Sequence, residues 1–265
     1  MKFKKVIITG GSRGIGKTLV DHFLKEKCEV HVVARVEKNK STDPNLHFHS
    51  VDLSVLKKTE EFADSFLREH GIPDLLVNNA GSGAFYDWGN FPESEIYNQM
   101  NLLFSSPVLL CRKFAPLMFK QQKGIIVNIS SLATLYPVPY MPIYNAGKSA
   151  LSSYTRSMIL EFDKFPKFLD LVIGDVCTDF NNEAAKSKQD NWSERMQVAW
   201  RQIERQLSTS PKPSVIGKEI IRIINNDNSG LFYLGSLFHR LIYPFLFRLL
   251  SFPIVKKVLH NRYFS

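Results

Sequence analysis

A tyrosine and a lysine four residues apart form the pair in this sequence that is best suited to catalysis. In the run YNAGK, the phenol of Tyr144 and the amine of Lys148 lie at positions i and i+4, which share one face of a helix. A nearby ammonium favours the phenolate and lowers the pKa of a tyrosine from about 10. Because a general acid works best with a pKa near the working pH, the pair predicts proton transfer by Tyr144. An ordinary amphipathic helix face has the same spacing, so the pair alone leaves both interpretations open.

A glycine-rich turn near the N-terminus is the second feature that could do chemistry. Residues 9 to 16 read TGGSRGIG and lie between an apolar run and a helical pattern. Glycines permit a tight turn and a close approach of the backbone, and the helix that follows offers free N–H groups to a pyrophosphate. The turn therefore predicts a dinucleotide site, with a structural loop as the alternative, and its GxxxGxG spacing differs from the GxGxxG fingerprint. Its candidate contacts are Gly10, Ser12, Arg13, Gly14, Ile15 and Gly16.

Two arginines indicate which dinucleotide the site prefers. The second predicted strand ends in Ala34 and Arg35, without the acidic residue that would bond the ribose hydroxyls of NAD. The guanidinium groups of Arg13 and Arg35 suit a 2′-phosphate, which they can hold with charge-assisted and often bidentate hydrogen bonds. The sequence therefore favours NADP(H), with NAD(H) as the alternative if both arginines are solvated surface residues.

Further polar residues follow the later predicted strands. Asp52 closes the third strand, where its carboxylate could accept a hydrogen bond from the adenine amino group, and the run NNAG at residues 78–81 closes the fourth. Ser131 ends the fifth strand, and Asn101 lies on the helical segment before it. Taken alone, Asp52 and the NNAG run are better explained by ordinary loop chemistry.

The chain alternates short apolar runs with helical patterns. The predicted strands are Val6–Thr9, Val30–Ala34, His47–Val51, Leu75–Asn78, Ile125–Ser130 and Leu169–Gly174. The predicted helices are Ile15–Lys25, Leu56–Glu69, Glu93–Lys120 and Asn145–Phe162. Buried strands that alternate with helices are typical of an α/β fold, a doubly wound parallel sheet of Rossmann type in a single domain. Ligands bind such sheets outside the carboxyl ends of the strands.

The pattern changes after Thr178. Residues 179–214 are polar and include an amphipathic stretch from about Ser193 to Leu207, which we expect to fold over the ligand crevice as a substrate lid. An ordinary surface helix is the alternative. Residues 1–235 form the predicted dinucleotide-binding and catalytic domain, and residues 236–265 form an apolar, basic C-terminal extension.

Composition excludes several classes of protein. The 265 residues are 44% hydrophobic and 22% charged, which excludes a disordered, collagen-like or multi-span membrane protein. Three cysteines without a CxxC pair indicate neither a disulfide framework nor a zinc site, and they fit a reducing compartment. The net charge is +9, but no nucleic-acid-binding motif is recognised, so we expect no nucleic-acid partner. The first apolar run is too short for a signal peptide, and we expect a cytoplasmic location.

The ordered set TGGSRGIG, VDL, NNAG, Asn101, Ser131 and YNAGK is similar to the motifs of the short-chain dehydrogenases/reductases, in their single-domain branch. The resemblance covers residues 3 to about 235. It implies that Tyr144 gives or takes the proton and that Ser131 holds the substrate oxygen. It also implies that Lys148 lowers the pKa of Tyr144 and holds the nicotinamide ribose, while Asn101 anchors a water in the proton relay. Hydride transfer between nicotinamide and substrate then needs no metal.

The same resemblance extends the list of cofactor contacts beyond the glycine turn. These are Arg35, Asp52, Leu53, Asn78, Ala80, Gly81, Tyr144, Lys148 and Thr178. Two departures from the family pattern stand out. Ile173 replaces a proline that usually follows the sixth strand, and an apolar tail replaces the glycine-rich ending of the soluble tetrameric members.

This tail is apolar and basic. Residues 230–265 carry five lysines and arginines and no acidic residue. The longest charge-free run, Leu231–Phe238, has eight residues, far short of the roughly 20 that span a bilayer. Pro244 and Pro253 argue against one long helix. The pattern favours peripheral contact with a membrane surface or an apolar entry to the active site, with a subunit interface as the alternative.

These features together predict an NADP(H)-dependent oxidoreductase that interconverts a carbonyl and an alcohol. The expected substrate is a small hydrophobic ketone or aldehyde, and the resemblance implies a homodimer or a higher homo-oligomer. Two other functions stay open: a catalytically idle dinucleotide-binding sensor or scaffold, and a reductase of carrier-bound 3-oxoacyl chains.

Overall fold

A seven-stranded parallel sheet organises the chain. The computed structural model describes residues 2–37, 41–178, 180, 184–226 and 228–265. The strands of the sheet are β1 (Lys5–Thr9), β2 (Glu29–Ala34), β3 (Leu46–Ser50), β4 (Leu75–Asn78), β6 (Ile125–Ser131), β7 (Lys167–Ile173) and β9 (Gly230–Leu234). Two short strands, β5 (Ala84–Phe85) and β8 (Ala185–Lys186), pair with each other apart from it. The spatial order β3-β2-β1-β4-β6-β7-β9 reverses direction between β1 and β4, which confirms the doubly wound α/β fold.

Helices cover both faces of the sheet. They are α1 (Gly14–Lys25), α2 (Leu56–His70), α3 (Glu93–Met100), α4 (Ser106–Lys120), α5 (Pro142–Glu161), α6 (Glu194–Ser208), α7 (Pro213–Asn225), α8 (Tyr243–Leu249) and α9 (Phe252–Phe264). Successive side chains of a strand point to opposite faces. In β1, Val6 and Ile8 pack in one buried cluster with α1 and α7, whereas Ile7 packs in another with α2 and α4. Because both faces are buried, the central strands are continuous apolar runs, which is why the sequence predicts them.

Two elements differ from the sequence-based expectation. The sequence predicts residues 230–234 as part of the apolar tail, whereas they form the strand β9, which pairs in parallel with β7 at the edge of the sheet. The predicted helix Glu93–Lys120 consists of α3, a π-helical segment over Asn101–Ser105, and α4. This run is long and apolar enough to cross a membrane by length and composition. Its α4 part packs in the core against the sheet and α2, as a core helix does.

The last part of the chain folds back towards the carboxyl ends of the strands. Trp192, Trp200, Ile203 and Tyr263 form a buried cluster with Phe85. Pro244 and Pro253 lie in the first turns of α8 and α9, and the chain is not helical between these two helices. The tail is therefore not one long helix, and α9 packs beside α6.

Candidate active site

A cavity of about 680 Å³ lies at the carboxyl ends of β1, β4, β6 and β7. Most of the residues predicted as catalytic or cofactor-binding line it. They are Gly10, Ser12, Arg13, Gly14, Ile15, Arg35, Asp52, Leu53, Ala80, Gly81, Ser131, Tyr144, Lys148 and Thr178. The fold therefore brings residues from seven separate stretches of sequence to one place.

The NNAG loop after β4 holds the glycine turn in its conformation. Gly10 and Gly14 adopt φ values of +66° and +55°, which side chains rarely tolerate. The Thr9 hydroxyl accepts hydrogen bonds from the amides of Asn79 and Ala80, at 2.9 and 3.0 Å. The Asn79 side chain donates in turn to the carbonyls of Thr9 and Gly10, at 2.9 and 3.1 Å. The turn and the NNAG loop thus form one rigid unit.

Helix α1 begins at this turn with open amides. Its N-cap residue, Arg13, makes no side-chain capping bond, and its first turn contains no acidic residue. Unsatisfied N–H groups and the positive end of the helix dipole attract an anion. Thr178 lies beside the turn, since a Cβ on Gly14 would be 3.5 Å from its methyl group. The residues present fit a pyrophosphate-containing cofactor.

Arg13, Arg35 and Asp52 also line the cavity. Asp52 accepts hydrogen bonds from the amide and the hydroxyl of Ser54, at 3.0 and 2.7 Å. Burial by itself would raise the pKa of Asp52, but these bonds and the charge of Arg35 hold it below its usual value. Asp52 is therefore a carboxylate at neutral pH, and it can accept a hydrogen bond as predicted.

Ser131 and Tyr144 form the reactive part of the cavity. Ser131 ends β6 and its oxygen accepts a bond from the Ala133 amide at 3.2 Å, while Tyr144 lies in the first turn of α5. Burial raises the pKa of Tyr144, hydrogen bonding with Ser131 lowers it by less, and the charge of Asp175 raises it further. The predicted lowering of this pKa by Lys148 stays a prediction, and burial of the phenol acts in the opposite direction.

Lys148 reaches the cavity wall but points its ammonium at the sheet. Its Nζ donates to the carbonyl of Ile129 at 2.7 Å, and a Cβ on Gly81 would lie 3.6 Å from it. Burial lowers the pKa of Lys148 to about 8, although the carboxylate of Asp170 acts in the opposite direction. The amine is thus much less basic than an exposed lysine.

Three predicted site residues do not line the cavity. Gly16 lies behind the turn, where a Cβ would come within 2.3 Å of the Gly10 carbonyl, so its role is close packing. The Asn78 side chain is buried in the sheet and donates to Asn128 at 2.7 Å. The side chain of Asn101 donates to the Ser54 carbonyl at 2.9 Å. The motif spacing located these residues but not the direction of their side chains.

Several lining residues were missed by the sequence analysis. Asn79, not Asn78, is the asparagine of the NNAG loop that borders the cavity. Gln99 is almost fully buried and donates to the Ser82 hydroxyl at 3.2 Å. The apolar wall comes from the segments after β6 and β7 and from the helices α6 and α9. Its members are Val138, Met141, Phe180, Ile203, Leu207 and Tyr263.

Known proteins similar to this chain are oxidoreductases. Residues 4–189 match the family model described as short chain dehydrogenase. The 3-ketodihydrosphingosine reductase of Bacteroides thetaiotaomicron is 28% identical over 229 residues, 84% of each chain. The structure of ElxO with NADP bound is 26% identical, with a TM-score of 0.68, over 87% of this chain and 96% of that one. A 4-hydroxyisoleucine dehydrogenase complexed with NADH is 22% identical, with a TM-score of 0.69, over 85% and 93%. Both dinucleotides therefore occur among solved structures with this fold.

Proposed function

The chain belongs to the short-chain dehydrogenases/reductases, which act on CH–OH and C=O groups with NAD(P), and we propose that it reduces a hydrophobic ketone or aldehyde with NADPH. One observation carries the proposal: a single cavity joins the glycine turn and two arginines to Ser131 and Tyr144. When bound, the dinucleotide supplies a hydride to the carbonyl carbon. The protein residues bind it, hold the carbonyl and deliver the proton.

Tyr144 is suited to donate that proton. Because burial raises its pKa, the phenol is protonated at neutral pH, and this is the form that can protonate a carbonyl oxygen as the hydride adds. The Ser131 hydroxyl, which is hydrogen-bonded with the phenol, can donate to the same oxygen and fix its position. The phenolate left on Tyr144 then regains a proton from solvent, and the substrate leaves as an alcohol.

The apolar wall supports a hydrophobic substrate. Ile203 and Leu207 on α6 and Tyr263 on α9 line the cavity. The relative named 3-ketodihydrosphingosine reductase matches most of the chain, including part of this region. A long-chain ketone is therefore the first substrate to test, with a shorter ketone and a 3-oxoacyl chain on a carrier as comparisons.

Replacing the phenol tests the assigned chemistry. In Tyr144→Phe we expect turnover to fall by about 10²-fold or more, the usual contribution of a general acid, while NADPH binding stays nearly unchanged. The readouts are NADPH absorbance with 3-ketodihydrosphingosine and fluorescence titration of NADPH. Tyr97→Phe, which alters an exposed tyrosine on α3, is the matched control. Substantial residual turnover in Tyr144→Phe removes Tyr144 from this role.

The cofactor preference has its own test. Arg35 is exposed and lines the cavity. Arg35→Ala should therefore leave the fold intact and remove one of the two guanidinium groups that would bind a 2′-phosphate. Since hydrogen bonds to charged groups contribute about 1.5–3 kcal/mol, we expect NADPH to bind at least tenfold more weakly and NADH to bind as before. Parallel fluorescence titrations measure both, with the exposed Arg68→Ala on α2 as control. Equal affinities of the wild-type protein for NADPH and NADH contradict the preference, and binding of neither supports the idle-scaffold alternative.

We also propose that the tail contacts an anionic membrane surface. A set of apolar side chains in and before α8 and α9 is at least half exposed: Leu237, Leu241, Phe245, Leu249, Phe252 and Ile254. Arg240, Lys256 and Lys257 are exposed in the same segments, and residues 230–265 contain no acidic residue. An exposed apolar surface with basic residues suits the lipid interface. Tyr263, on the buried side of α9, borders the cavity, so a lipid substrate would have a short path to it.

Vesicle binding tests this contact. The wild-type protein should co-sediment with vesicles that contain phosphatidylserine and less with pure phosphatidylcholine. Phe245→Glu combined with Phe252→Glu should abolish sedimentation, because two charges then enter the apolar surface. The control is Leu160→Glu, which changes a leucine on α5 that is 86% exposed. If the wild-type protein stays in the supernatant, it does not bind these vesicles. If it is also a dimer in solution and the double variant is a monomer, this surface is a subunit interface instead.

A further inference from the structure

We propose a divalent transition-metal site, separate from the cavity, formed by Glu29, His31, His47 and His70. The first two residues lie on β2, His47 lies on β3 and His70 is the last residue of α2. The chain contains seven histidines, and four of them, these three and His49, meet at this one place. None of the four proposed ligands lines the active-site cavity.

The register of two strands brings these side chains together. In the parallel pair of β2 and β3, His31 lies beside His47. Residues two apart on a strand share a face, so Glu29 and His31 point to the same side of the sheet. Helix α2 covers that side, with Phe66 in edge-to-face contact with the His31 ring, and it ends with His70 one turn later. The site thus joins an edge strand, its neighbour and the end of a helix.

The donor atoms surround one carboxylate oxygen. Oε1 of Glu29 lies 2.9 Å from Nε2 of His31, 3.3 Å from Nδ1 of His70 and 4.0 Å from Nε2 of His47. In a tetrahedral site with metal–ligand bonds of about 2.0–2.1 Å, neighbouring donor atoms lie roughly 3.3–3.4 Å apart. The three distances bracket this value, and the rings of His31, His47 and His70 lie 4.4–5.8 Å apart between centroids, so the four side chains are close enough for one ion to draw their donors together.

The chemistry of the donors also fits such an ion. Imidazole nitrogens together with one carboxylate oxygen are a ligand set that Zn²⁺ accepts. His31 is fully buried, and burial favours its neutral form, which is the form that binds a metal. The other ring nitrogen of His31, Nδ1, lies 3.0 Å from Nε2 of His49. A hydrogen bond of this kind fixes the tautomer and ring orientation of a metal-binding histidine.

The consequence of binding is structural. Nothing at this site approaches Tyr144 or Ser131, which lie at the opposite, carboxyl ends of the strands. A bound ion would connect the edge strand β3 to the C-terminal end of α2 and stabilise the native state by mass action. The proposal is therefore independent of the proposed reaction, and its test needs no activity measurement.

Metal titration of the full-length protein tests the site. After treatment with EDTA and buffer exchange, the wild-type protein should bind one Zn²⁺ per chain in calorimetry, and its Tm should rise when Zn²⁺ is added. His47→Gln and His70→Gln change partly buried ligands and should each weaken binding at least about tenfold and cancel the rise in Tm. The control is His22→Gln, which alters a histidine on α1 and should bind like wild type.

A spectroscopic measurement on the wild-type protein tests the site even if the variants fail to fold. Co²⁺ bound by nitrogen and oxygen ligands in a tetrahedral site should give visible absorption that one equivalent of Zn²⁺ removes. Absence of stoichiometric Zn²⁺ binding to the wild-type protein overturns the proposal. Binding that is unchanged in folded His47→Gln and His70→Gln also overturns it, because the ion then lies elsewhere.

Discussion

At the residue scale, burial decides the chemistry of the central pair. Tyr144 and Lys148 lie one turn apart on α5 and both line the cavity; Lys148 is buried and Tyr144 half-buried, and burial shifts their two pKa values in opposite directions. Both shifts favour the neutral form, because a low dielectric disfavours charge on either group. Tyr144 is therefore a protonated phenol at neutral pH, which is the form that the proposed reduction needs.

The burial of Lys148 has a measurable effect on stability. Its pKa falls from 10.5 to about 8 on folding, so between these pH values the unfolded chain holds a proton that the folded chain lacks. Raising the pH through this window therefore stabilises the folded state, and the burial of charge is most unfavourable below pH 8. In Lys148→Met this contribution is absent.

We therefore expect the Tm of the wild-type protein to rise relative to that of Lys148→Met as the pH is raised from about 7 to about 10. Thermal unfolding of both proteins at several pH values measures the difference. Lys120→Met removes an exposed lysine on α4, and its Tm should differ from wild type by a constant amount. A constant difference for Lys148→Met as well would mean that Lys148 keeps its ordinary basicity in the folded protein.

At the element scale, the sequence predicts best where a strand is buried on both faces. The strands β1, β2, β4, β6 and β7 are mostly apolar and buried, and their predicted positions agree with the structure within two residues, as does that of the partly buried edge strand β3. The strand β9 escapes detection because it is only partly buried and continues directly into an apolar tail. Pairing with β7, a contact distant in sequence, decides its structure, and no local pattern reports such a contact.

For the site, the sequence predicts the positions of the functional residues but not the directions of their side chains. The motifs locate the turn, the NNAG loop and the tyrosine correctly, since each follows from its place after a strand or on a helix. They do not report that Asn101 lies at the start of a π-helical segment and turns its side chain to Ser54. Leu103, in that segment, packs against Gly147, where a Cβ would come within 2.9 Å. The glycine between Tyr144 and Lys148 therefore lets two helices approach closely, which spacing alone does not reveal.

At the scale of the whole molecule, one arginine near the C-terminus connects the tail to the body of the enzyme. Arg262 on α9 donates to Asp175 after β7 at 2.9 Å and to Gln206 on α6 at 2.7 Å. It also donates to the hydroxyl of Tyr243 on α8. The next residue, Tyr263, is buried and borders the cavity. The segment that carries the exposed apolar surface is thus fixed to the substrate side of the site.

Replacing this arginine should separate substrate binding from cofactor binding. In Arg262→Met, Asp175 loses its closest cationic partner and α9 loses its polar anchor, so we expect a loss of about 1.5–3 kcal/mol in the free energy of unfolding. Because Tyr263 then no longer holds the cavity wall in place, the KM for a long-chain ketone should rise severalfold. The affinity for NADPH should stay the same, since Arg262 does not line the cavity and the glycine turn is unaltered. Urea unfolding, steady-state kinetics and NADPH titration measure these effects, with the exposed Arg201→Met on α6 as control. If stability falls while the KM stays constant, α9 contributes to folding alone and the substrate is bound by the remaining wall.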